Sequence, residues 1–557
     1  MLWEEVAQLK RDSNLGKIRK EWLLDEIPSV DEVGDVSQYL DLCLPSEEVG
    51  ITSKTAVELV DCISKGKLTA YKVTEVFCHR AALIHQMTNC LSEIFFDKAL
   101  ARAKELDDYF EKRGTTVGPL HGLPISLKDQ VNLKGVETSI GYVAPFINDE
   151  YMKEITGNSA GIDKESLIAK LLADAGAVFY VKTTVPMAML GYDTSSNLFG
   201  QTLNSLNRKL SCGGSSGGEG SLIGASGSKV GLGTDIGGSI RTPSAFQGLF
   251  GLRPSSNRLP YLGVANSMAD QPVICSVIGP MAQDLQDLKL ITKCIIDSRP
   301  WEIDPKVPPL PWREFKIQDS PNPKFIFGIM EWDRVIFPHP PFIRALQLIK
   351  QALLSQGHQV FNFEPPMDHN LLLNLLTSIF TADALQEIKT NCAKSGEPLN
   401  SLIQRSFDAP SEPISVIDHW KQAKLKYEYQ QVYDRAWTQP SKSADLETEL
   451  DCFIAPAWCS TSFIAGENLR SPSTYTRFLN VLDYTVIVVP VTKVDKILDK
   501  PFEHYSPISE KDEINYKNYD PELMHGMPVC IQLVCKRYQE EKAIALAELL
   551  VDALDKL

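Results

Sequence analysis

The chain has 557 residues, a formal net charge of −15 and 43% hydrophobic residues, a composition typical of a globular protein with one very large domain or a few ordinary ones. The acidic balance argues against a nucleic-acid partner, because such a partner requires a basic face. The 12 cysteines are scattered, and neither a Cys-x-x-Cys pair nor a Cys/His cluster indicates a metal site. We therefore expect reduced thiols in a cytoplasmic protein.

The first 50 residues are predicted to form an N-terminal helical arm, and residues 51–557 the main domain. Residues 1–10 are charged from the fourth position and lack the apolar core of a signal peptide, so we expect an amphipathic helix there. No apolar run approaches the ~18 residues of a membrane span. An integral membrane segment is therefore not expected.

Helices and strands are predicted to alternate in the next part of the chain. The helical patterns cover residues 55–112, punctuated by Gly66, and residues 166–175, and the strand patterns cover residues 123–127 and 177–181. The first strand ends near Lys128, and Gly176 caps the second helix. This order of helix, glycine and strand predicts an α/β fold.

The second half returns to strands only near the C-terminus. Residues 300–345 are rich in proline and aromatic residues and are predicted to be a long ordered connection, followed by mostly helical residues 344–438. Strand character returns at residues 452–495 and 528–534, before a last helix at 540–557. We therefore expect one large domain with a helical, proline-rich insertion at about 300–450.

Glycines are concentrated between residues 213 and 251, around two serines, Ser215 and Ser239. Glycine at this density costs backbone entropy on folding, so it indicates a backbone that approaches another group closely or adopts conformations closed to other residues. Ser239 follows Gly237 and Gly238 at a turn after an apolar run. This segment is the strongest candidate for a functional site.

Amide hydrolysis needs a nucleophile, a base and donors for the oxyanion. Glycines before Ser239 allow successive backbone N–H groups to point into one concavity, and Ser215 lies in a loop without crowding side chains. Lys128 ends an apolar strand, where desolvation favours the neutral amine that acts as a base. These residues predict a Ser-Ser-Lys amide hydrolase that needs no metal, cofactor or histidine.

Simpler interpretations exist for each of these residues. A glycine-rich serine loop is more often a turn than a catalytic site, and a lone lysine is usually a surface charge. His121 is more readily a structural histidine at a strand end than a base. Asp235 and Arg241 are predicted to form an ion pair that braces the turn carrying Ser239.

The glycine-rich segment partly matches two other known sequence motifs. Residues 213–217 match the nucleophile elbow of α/β-hydrolases, but that motif follows a hydrophobic strand and residues 204–212 are polar. An esterase of that kind would use Ser215 with His504 or His525. The glycines also resemble a phosphate loop, but no Gly-Lys-Ser/Thr closes the motif.

Taken together, residues 213–254 resemble the signature of the amidase signature family almost without a gap, and the match extends from about Thr55 to the C-terminus. Glu219 in the serine loop is similar to the eukaryotic acetamidase and fatty-acid-amide branch. Supporting segments are found at residues 121–129, 197–204, 278–282 and 527–534. Segments that resemble the fungal acetamidase subgroup are found at residues 300–305, 311–313, 338–341 and 482–484.

The resemblance implies a single large α/β/α domain around a central mixed sheet, with a signature core at 120–285. It implies Ser239 as the acyl-forming nucleophile, Ser215 as the proton relay next to a cis peptide bond, and Lys128 as the final base. The oxyanion would be held by backbone N–H groups of Ile236, Gly237, Gly238 and Ser239. Supporting roles would belong to Ser216, Thr234, Asp235 and Arg241.

The reaction that the resemblance implies is hydrolysis of a small primary amide, such as acetamide, to a carboxylate and ammonia through an acyl-enzyme, without a cofactor. A fatty-acid or aryl-acyl amide is the alternative substrate within the family, and a catalytically silent scaffold is the alternative of another class. A homodimer is the expected assembly if the chain associates. Arg334 and Cys535 depart from the fungal subgroup, but neither belongs to the predicted catalytic set.

Overall fold

The computed structural model describes residues 2–147, 164–269, 271–319, 324–407, 409–438, 449–467 and 474–557. The strands in this part of the chain are β1 Leu91–Ile94, β2 Pro124–Lys128, β3 Val178–Thr183, β4 Ser195–Ser196, β5 Gly200–Gln201, β6 Val230–Asp235, β7 Phe250–Arg253, β8 Val277–Ala282, β9 Ile326–Ile329, β10 Gln359–Asn362, β11 Cys452–Pro456, β12 Thr485–Lys493 and β13 Pro528–Cys535.

The α-helices in the described residues are α1 Trp3–Leu15, α2 Val36–Cys43, α3 Ser46–Thr52, α4 Ala56–Ser64, α5 Ala70–Thr88, α6 Phe96–Arg113, α7 Leu167–Asp174, α8 Gly217–Gly224, α9 Arg241–Gln247, α10 Leu285–Asp297, α11 Pro340–Ser355, α12 His369–Phe380, α13 Gln386–Ser395, α14 Ser401–Ser406, α15 Val416–Thr438, α16 Thr474–Leu482, α17 Glu510–Lys517 and α18 Glu540–Asp555.

One mixed sheet of 11 strands organises the fold, in the order β1-β3-β2-β6-β8-β7-β12-β13-β11-β9-β10. The pairs β2–β3 and β2–β6 are parallel, and so are β9–β10 and β9–β11, whereas the central pairs are antiparallel. Most strands of this sheet are buried along their whole length, as expected where helices cover both faces. The predicted α/β/α domain with a central mixed sheet is confirmed.

Several predicted elements are found at the expected places. Strand β2 ends at Lys128, α7 is followed by Gly176 with a φ of +98°, and β3, β13 and α18 lie within a few residues of their predicted ranges. The helical range 55–112 contains α4, α5 and α6. The sequences of these elements show a clear periodic pattern of apolar residues, which is why they could be predicted.

Four elements differ from the prediction. Strand β1 interrupts the range predicted to be helical, and α16 lies within the range predicted to be strand. Within the predicted insertion, β9 and β10 join the main sheet, so this segment is not wholly helical. Residues 320–323, 408 and 439–448 of the predicted insertion lie outside the described residues.

The N-terminal 50 residues contain the predicted helix, α1, and pack against the body of the protein. Trp22, Val36 and Leu40 belong to the same hydrophobic core cluster as the residues of α5 and β2. Lys10 on α1 pairs with Glu93 on β1. The domain boundary at residue 50 stays a prediction, although residues on both sides of it share one core.

None of the helices in the described ranges has the length and apolar character that crossing a membrane requires.

Candidate active site

The candidate site lies where two parallel strands end. Strands β2 and β6 pair with Ser126 opposite Gly231, so their carboxyl ends meet at one edge of the sheet. Lys128 is the last residue of β2, and Asp235 is the last residue of β6. Such an edge is where open α/β sheets commonly bind ligands.

Lys128 is buried at this edge between two hydroxyl groups. Its Nζ lies 2.8 Å from Ser215 Oγ and 2.7 Å from Thr234 Oγ1. Burial lowers the pKa of the Lys128 ammonium to about 7, because desolvation penalises the charged form. The lowering is opposed by three carboxylates, those of Asp235, Glu219 and Asp129. A substantial share of neutral amine is therefore present near neutral pH.

Ser215 is held over Lys128 by the tightly packed start of α8. The peptide bond between Gly214 and Ser215 is cis, and Ser215 is 2% exposed. At Gly218 a Cβ would lie 2.4 Å from the backbone nitrogen of Thr184, which no side chain tolerates. Glycine there allows the helix to contact the neighbouring backbone closely enough to position Ser215.

Ser239 lies in the turn between β6 and α9. Gly238 has a φ of +129°, and a Cβ on it would lie 2.4 Å from Thr476 Oγ1. The backbone N–H of Ser216 donates to the carbonyl oxygen of Ser239 at 3.1 Å, which joins the two glycine-rich loops. The structure thus brings Ser239 and Ser215 to the walls of one cavity.

Among the described residues, one of the four predicted oxyanion donors has its N–H group bonded to a side chain, and the other three do not. Gly238 N–H donates to Asp235 Oδ1 at 2.9 Å, so it differs from the prediction of an open donor. Within the described ranges, the N–H groups of Ile236, Gly237 and Ser239 make no hydrogen bond to the protein. These three are the donors available for an oxyanion beside Ser239.

Asp235 and Arg241 form the predicted ion pair, with Arg241 Nε 3.0 Å from Asp235 Oδ2 and both side chains fully buried. Burial alone would raise the pKa of Asp235, but the charge of Arg241 outweighs it and holds the pKa well below its usual range. Asp235 also accepts from Ile240 N–H and Asn480 Nδ2. The pair therefore braces the turn that carries Ser239.

Ser216 and Thr234 lie between the catalytic candidates. Thr234 N–H donates to Ser216 Oγ at 3.3 Å. Thr234 Oγ1 also lies 2.6 Å from Gln130 Oε1, a neighbour that the sequence interpretation missed. Two further residues were missed: Glu219 as a buried carboxyl and Asn480 as a partner of Asp235. Gln130 is only two residues after Lys128, so the sequence could have indicated that it lies near the site.

The serines face a small cavity, in which about 10 Å³ is open to the centre of a water molecule. Its lining combines apolar and hydroxyl side chains and consists of Ala188, Met189, Leu190, Ser215, Thr234, Ile236, Ser239, Asn266, Ser267, Met268 and Ser276. Asn266 and Met268 also line a second, more open cavity that reaches Phe380 and Glu387. Met268 therefore lies between the serines and the larger space.

The cavity that the serines face is not lined by His121, His504 or His525. His121 Nδ1 accepts the backbone N–H of Val117 at 3.1 Å, which fits the structural role. His504 and His525 are exposed, and His525 Nδ1 lies 3.1 Å from the carbonyl oxygen of Val494. No strand ends at Ser215 within the described residues, so the nucleophile-elbow interpretation does not fit.

The two residues that depart from the fungal subgroup lie outside the cavity lining. Arg334 is exposed, stacks on Trp332 and pairs with Glu364. Cys535 is buried at the end of β13. Where the chain is described, no group of three or more His, Cys, Asp or Glu residues is arranged to hold a metal ion.

Comparison with known proteins gives consistent matches over nearly the whole chain. Residues 72–544 match the family model described as Amidase. The acetamidase of Emericella nidulans is 40% identical over 550 residues, which cover 98% of this chain and 97% of that protein. The acetamidase of Aspergillus oryzae is 39% identical over 551 residues, which cover 98% of each chain.

Among solved structures, a fatty acid amide hydrolase superposes with a TM-score of 0.89 and 32% sequence identity. The superposition covers 99% of this chain and 95% of that one.

Proposed function

The chain belongs to the amidase family and is a hydrolase of carbon–nitrogen bonds in linear amides, and we propose that it cleaves small primary amides such as acetamide with Ser239 as nucleophile. The observation that carries the proposal is the buried contact of 2.8 Å between Lys128 Nζ and Ser215 Oγ, beside the turn of Ser239. A buried lysine whose pKa is lowered to about 7 is a competent general base.

In the first half of the reaction, neutral Lys128 takes the proton of Ser215 while Ser215 takes the proton of Ser239. Ser239 Oγ attacks the amide carbon, and the N–H groups of Ile236, Gly237 and Ser239 stabilise the oxyanion. The proton returns through Ser215 to the leaving nitrogen, and ammonia departs. Water then hydrolyses the acyl-enzyme along the same proton path and releases the carboxylate.

The size of the cavity supports a small acyl group. The volume open to the centre of a water molecule is about 10 Å³, far below the roughly 300–1,000 Å³ of pockets that bind drug-sized ligands. The 40% identity to an acetamidase over 98% of the chain supports the same substrate class. Acetamide and its close homologues are therefore the proposed substrates.

The test is ammonia release from acetamide, propionamide, benzamide and oleamide by the wild-type protein and by Ser239→Ala. We expect turnover of the two small aliphatic amides by the wild type and loss of at least about 10³-fold in kcat for the variant, because the nucleophile is removed. Ser92→Ala is the matched control, since Ser92 is buried on β1 and its hydroxyl has no hydrogen-bond partner among the described residues.

The substrate panel also separates the alternatives. Turnover of oleamide or benzamide without acetamide would replace the small-amide proposal with a long-chain or aryl substrate. Full activity of Ser239→Ala would overturn the assignment of the nucleophile. Absence of both turnover and labelling by an active-serine fluorophosphonate would indicate a silent scaffold.

A cytoplasmic location and a homodimer are further parts of the proposal. The 12 cysteines are all free thiols in the structure and most are buried, which suits a reducing compartment. Subcellular fractionation and analytical ultracentrifugation test the two statements independently.

A further inference from the structure

A chain of hydrogen bonds leads from the candidate base away from the cavity. Lys128 Nζ lies 2.7 Å from Thr234 Oγ1, and Thr234 Oγ1 lies 2.6 Å from Gln130 Oε1. Gln130 is fully buried and does not line the cavity that the serines face. Among the hydrogen bonds of the described residues, the Gln130 side chain is linked to Lys128 through the hydroxyl group of Thr234.

The orientation of the Gln130 amide is fixed by its other partners. Its Nε2 donates to the carbonyl oxygen of Ala265 at 2.7 Å and to the Tyr261 hydroxyl at 2.8 Å. A backbone carbonyl only accepts hydrogen bonds, so the nitrogen must face Ala265 and the oxygen must face Thr234. The backbone N–H of Ala265 also donates to Gln130 O at 3.0 Å, which ties the two segments together.

This orientation decides which way each proton points. The Thr234 hydroxyl has one proton, and Gln130 Oε1 can only accept it. Thr234 Oγ1 is then left as an acceptor for Lys128. A neutral lysine has two N–H donors and one lone pair; with one N–H directed to Thr234, its lone pair is available to the proton of Ser215.

We propose that Gln130 is a positioning residue that, by holding the Thr234 hydroxyl proton, keeps the lone pair of Lys128 free to accept the proton of Ser215. The proposal rests on the Ser-Ser-Lys mechanism above. Without the acceptor at Gln130, the Thr234 hydroxyl is within reach of the Lys128 lone pair and competes with Ser215 for it.

Three ionisable groups around Lys128 contribute to its proton affinity and remain in place in the variants. They are Asp235 at the end of β6, Glu219 on α8 and Asp129 after β2. A change in pH profile in a Gln130 variant therefore reports the altered hydrogen bond rather than the loss of a charge.

The test compares Gln130→Met, Thr234→Val and the double variant. We expect Gln130→Met to lower kcat about tenfold or more with KM changed less than about threefold, because general-base catalysis is impaired while the cavity is kept. The acidic limb of its kcat/KM profile moves to lower pH by about half a unit, since a donor to the amine favours the neutral form.

The double variant gives the sharpest result. Thr234→Val has no hydroxyl proton that occupies the lone pair, so we expect the double variant to match Thr234→Val and to exceed Gln130→Met in kcat. Thr234→Ser keeps the hydroxyl and is expected to stay within about threefold of the wild type. Additive losses in the double variant, or an unchanged pH profile in Gln130→Met, would overturn the proposal.

Gln86→Met is the matched control for folding. Gln86 Nε2 donates to two carbonyl oxygens, those of Trp22 and Ala82, and its Oε1 accepts the N–H of Leu24. Gln86→Met therefore loses as many hydrogen bonds as Gln130→Met. Its kcat and KM are expected to equal those of the wild type. If Gln130→Met does not fold, Gln130→Asn withdraws the same acceptor and is expected to give the same pH shift and loss of kcat.

Failure of the mechanism itself is recognised separately. Lys128→Ala and Ser239→Ala are measured beside the Gln130 variants. If either retains wild-type kcat, the Ser-Ser-Lys mechanism is wrong. If both are inactive and Gln130→Met equals the wild type, only the positioning role of Gln130 is wrong.

Discussion

Burial shifts the pKa values of two ionisable groups near the serines in the directions that favour their neutral forms. Desolvation lowers the pKa of Lys128 to about 7 and raises that of Glu219 to about 8. Glu219 Oε2 accepts the hydroxyl proton of Ser126 at 2.6 Å, which opposes the rise. Protonation of Glu219 removes one negative charge from the neighbourhood of Lys128. The pKa of Lys128 is then lower, and Lys128 is a better base at neutral pH.

In the proposed mechanism, the pH dependence of hydrolysis follows from the protonation of Lys128. A base acts only when deprotonated, so kcat/KM is expected to rise with pH, with a midpoint near 7, and to level off above it. Below the midpoint, each pH unit lowers kcat/KM about tenfold, because the neutral fraction falls by that factor. The measurement is kcat/KM for acetamide between pH 5 and 9 (roughly two units either side of the midpoint).

Lys229→Met is the control for this profile. Burial lowers the pKa of Lys229 to about 8, but Lys229 lies just before β6, at the opposite end of the strand from Thr234. Its removal is expected to leave the midpoint unchanged. A profile with no acidic limb between pH 5 and 9 would contradict Lys128 as the base.

Met268 is expected to limit the length of the acyl group. It lines both the cavity of the serines and the more open cavity beyond it. Met268→Ala removes this barrier, so kcat/KM for hexanamide relative to acetamide is expected to increase about tenfold, the scale of one or two buried methylenes. Leu262→Ala, at an exposed leucine, is the control. An unchanged ratio would show that another wall sets the limit.

At the scale of elements, the start of α8 depends on a close approach to neighbouring backbone. A Cβ at Gly218 would lie 2.4 Å from Thr184 N and 2.6 Å from Cys90 O, and backbone atoms cannot move as a side-chain end does. Gly218→Ala is therefore expected to reduce the free energy of unfolding by about 1–3 kcal/mol. It is also expected to lower kcat, because Ser215 precedes this turn. Urea unfolding and acetamide turnover measure both effects.

Gly50→Ala is the matched control for Gly218→Ala. Gly50 lies in helix α3 and is exposed, and a Cβ there would have no neighbour within 4 Å among the described residues beyond its own stretch of helix. Alanine there is expected to increase the free energy of unfolding by up to about 1 kcal/mol, since it has the higher helix propensity. A loss of stability equal to that of Gly218→Ala would contradict the packing argument.

Two of the elements that escaped prediction, α16 and β1, are buried along their whole length, whereas β10 is mostly half-buried. All nine residues of α16 are buried, although its apolar residues Tyr475, Phe478, Leu479 and Leu482 follow the helical spacing i, i+3, i+4, i+7, so the helical pattern was present in the sequence and was overlooked. Strand β1 is buried at all four positions and lies between two long helices. Strand β2 was predicted because glycine and proline mark the start of its apolar run.

At the scale of the whole molecule, the N-terminal segment is attached to the edge of the sheet by buried charges. Lys10 pairs with Glu93 on β1 and lies 2.8 Å from Glu137 Oε2. Burial raises the pKa of Glu93, although the charge of Lys10 opposes the rise. The pair therefore depends on both partners, because either charge alone is unfavourable at a buried position.

Lys10→Met is expected to reduce the free energy of unfolding by about 3–5 kcal/mol, because Glu93 is left buried without its main partner. Lys17→Met is the control, since Lys17 is 38% exposed at its side chain and lies 3.4 Å from Glu93. Its cost is expected to stay below about 1 kcal/mol. Urea unfolding compares the two, and equal losses would contradict a structural role for the buried pair.

The sequence by itself determined the class of protein and the identity of the candidate residues. The glycines around Ser215 and Ser239, and the apolar run before Lys128, have physical requirements that are local in the chain: positive φ, close approach and desolvation. For the same reason, the ends of β2 and α7 were predictable. Such requirements are visible in a few neighbouring residues.

Only the tertiary structure decided which groups meet. Lys128 and Thr234 are 106 positions apart in the chain and come into contact because β2 and β6 are parallel neighbours. The same pairing connects Gln130 with Thr234, a contact that no local pattern contains. Hydrogen-bond direction depends on the complete set of donors and acceptors around each group, and that set is assembled only when the distant segments pack together.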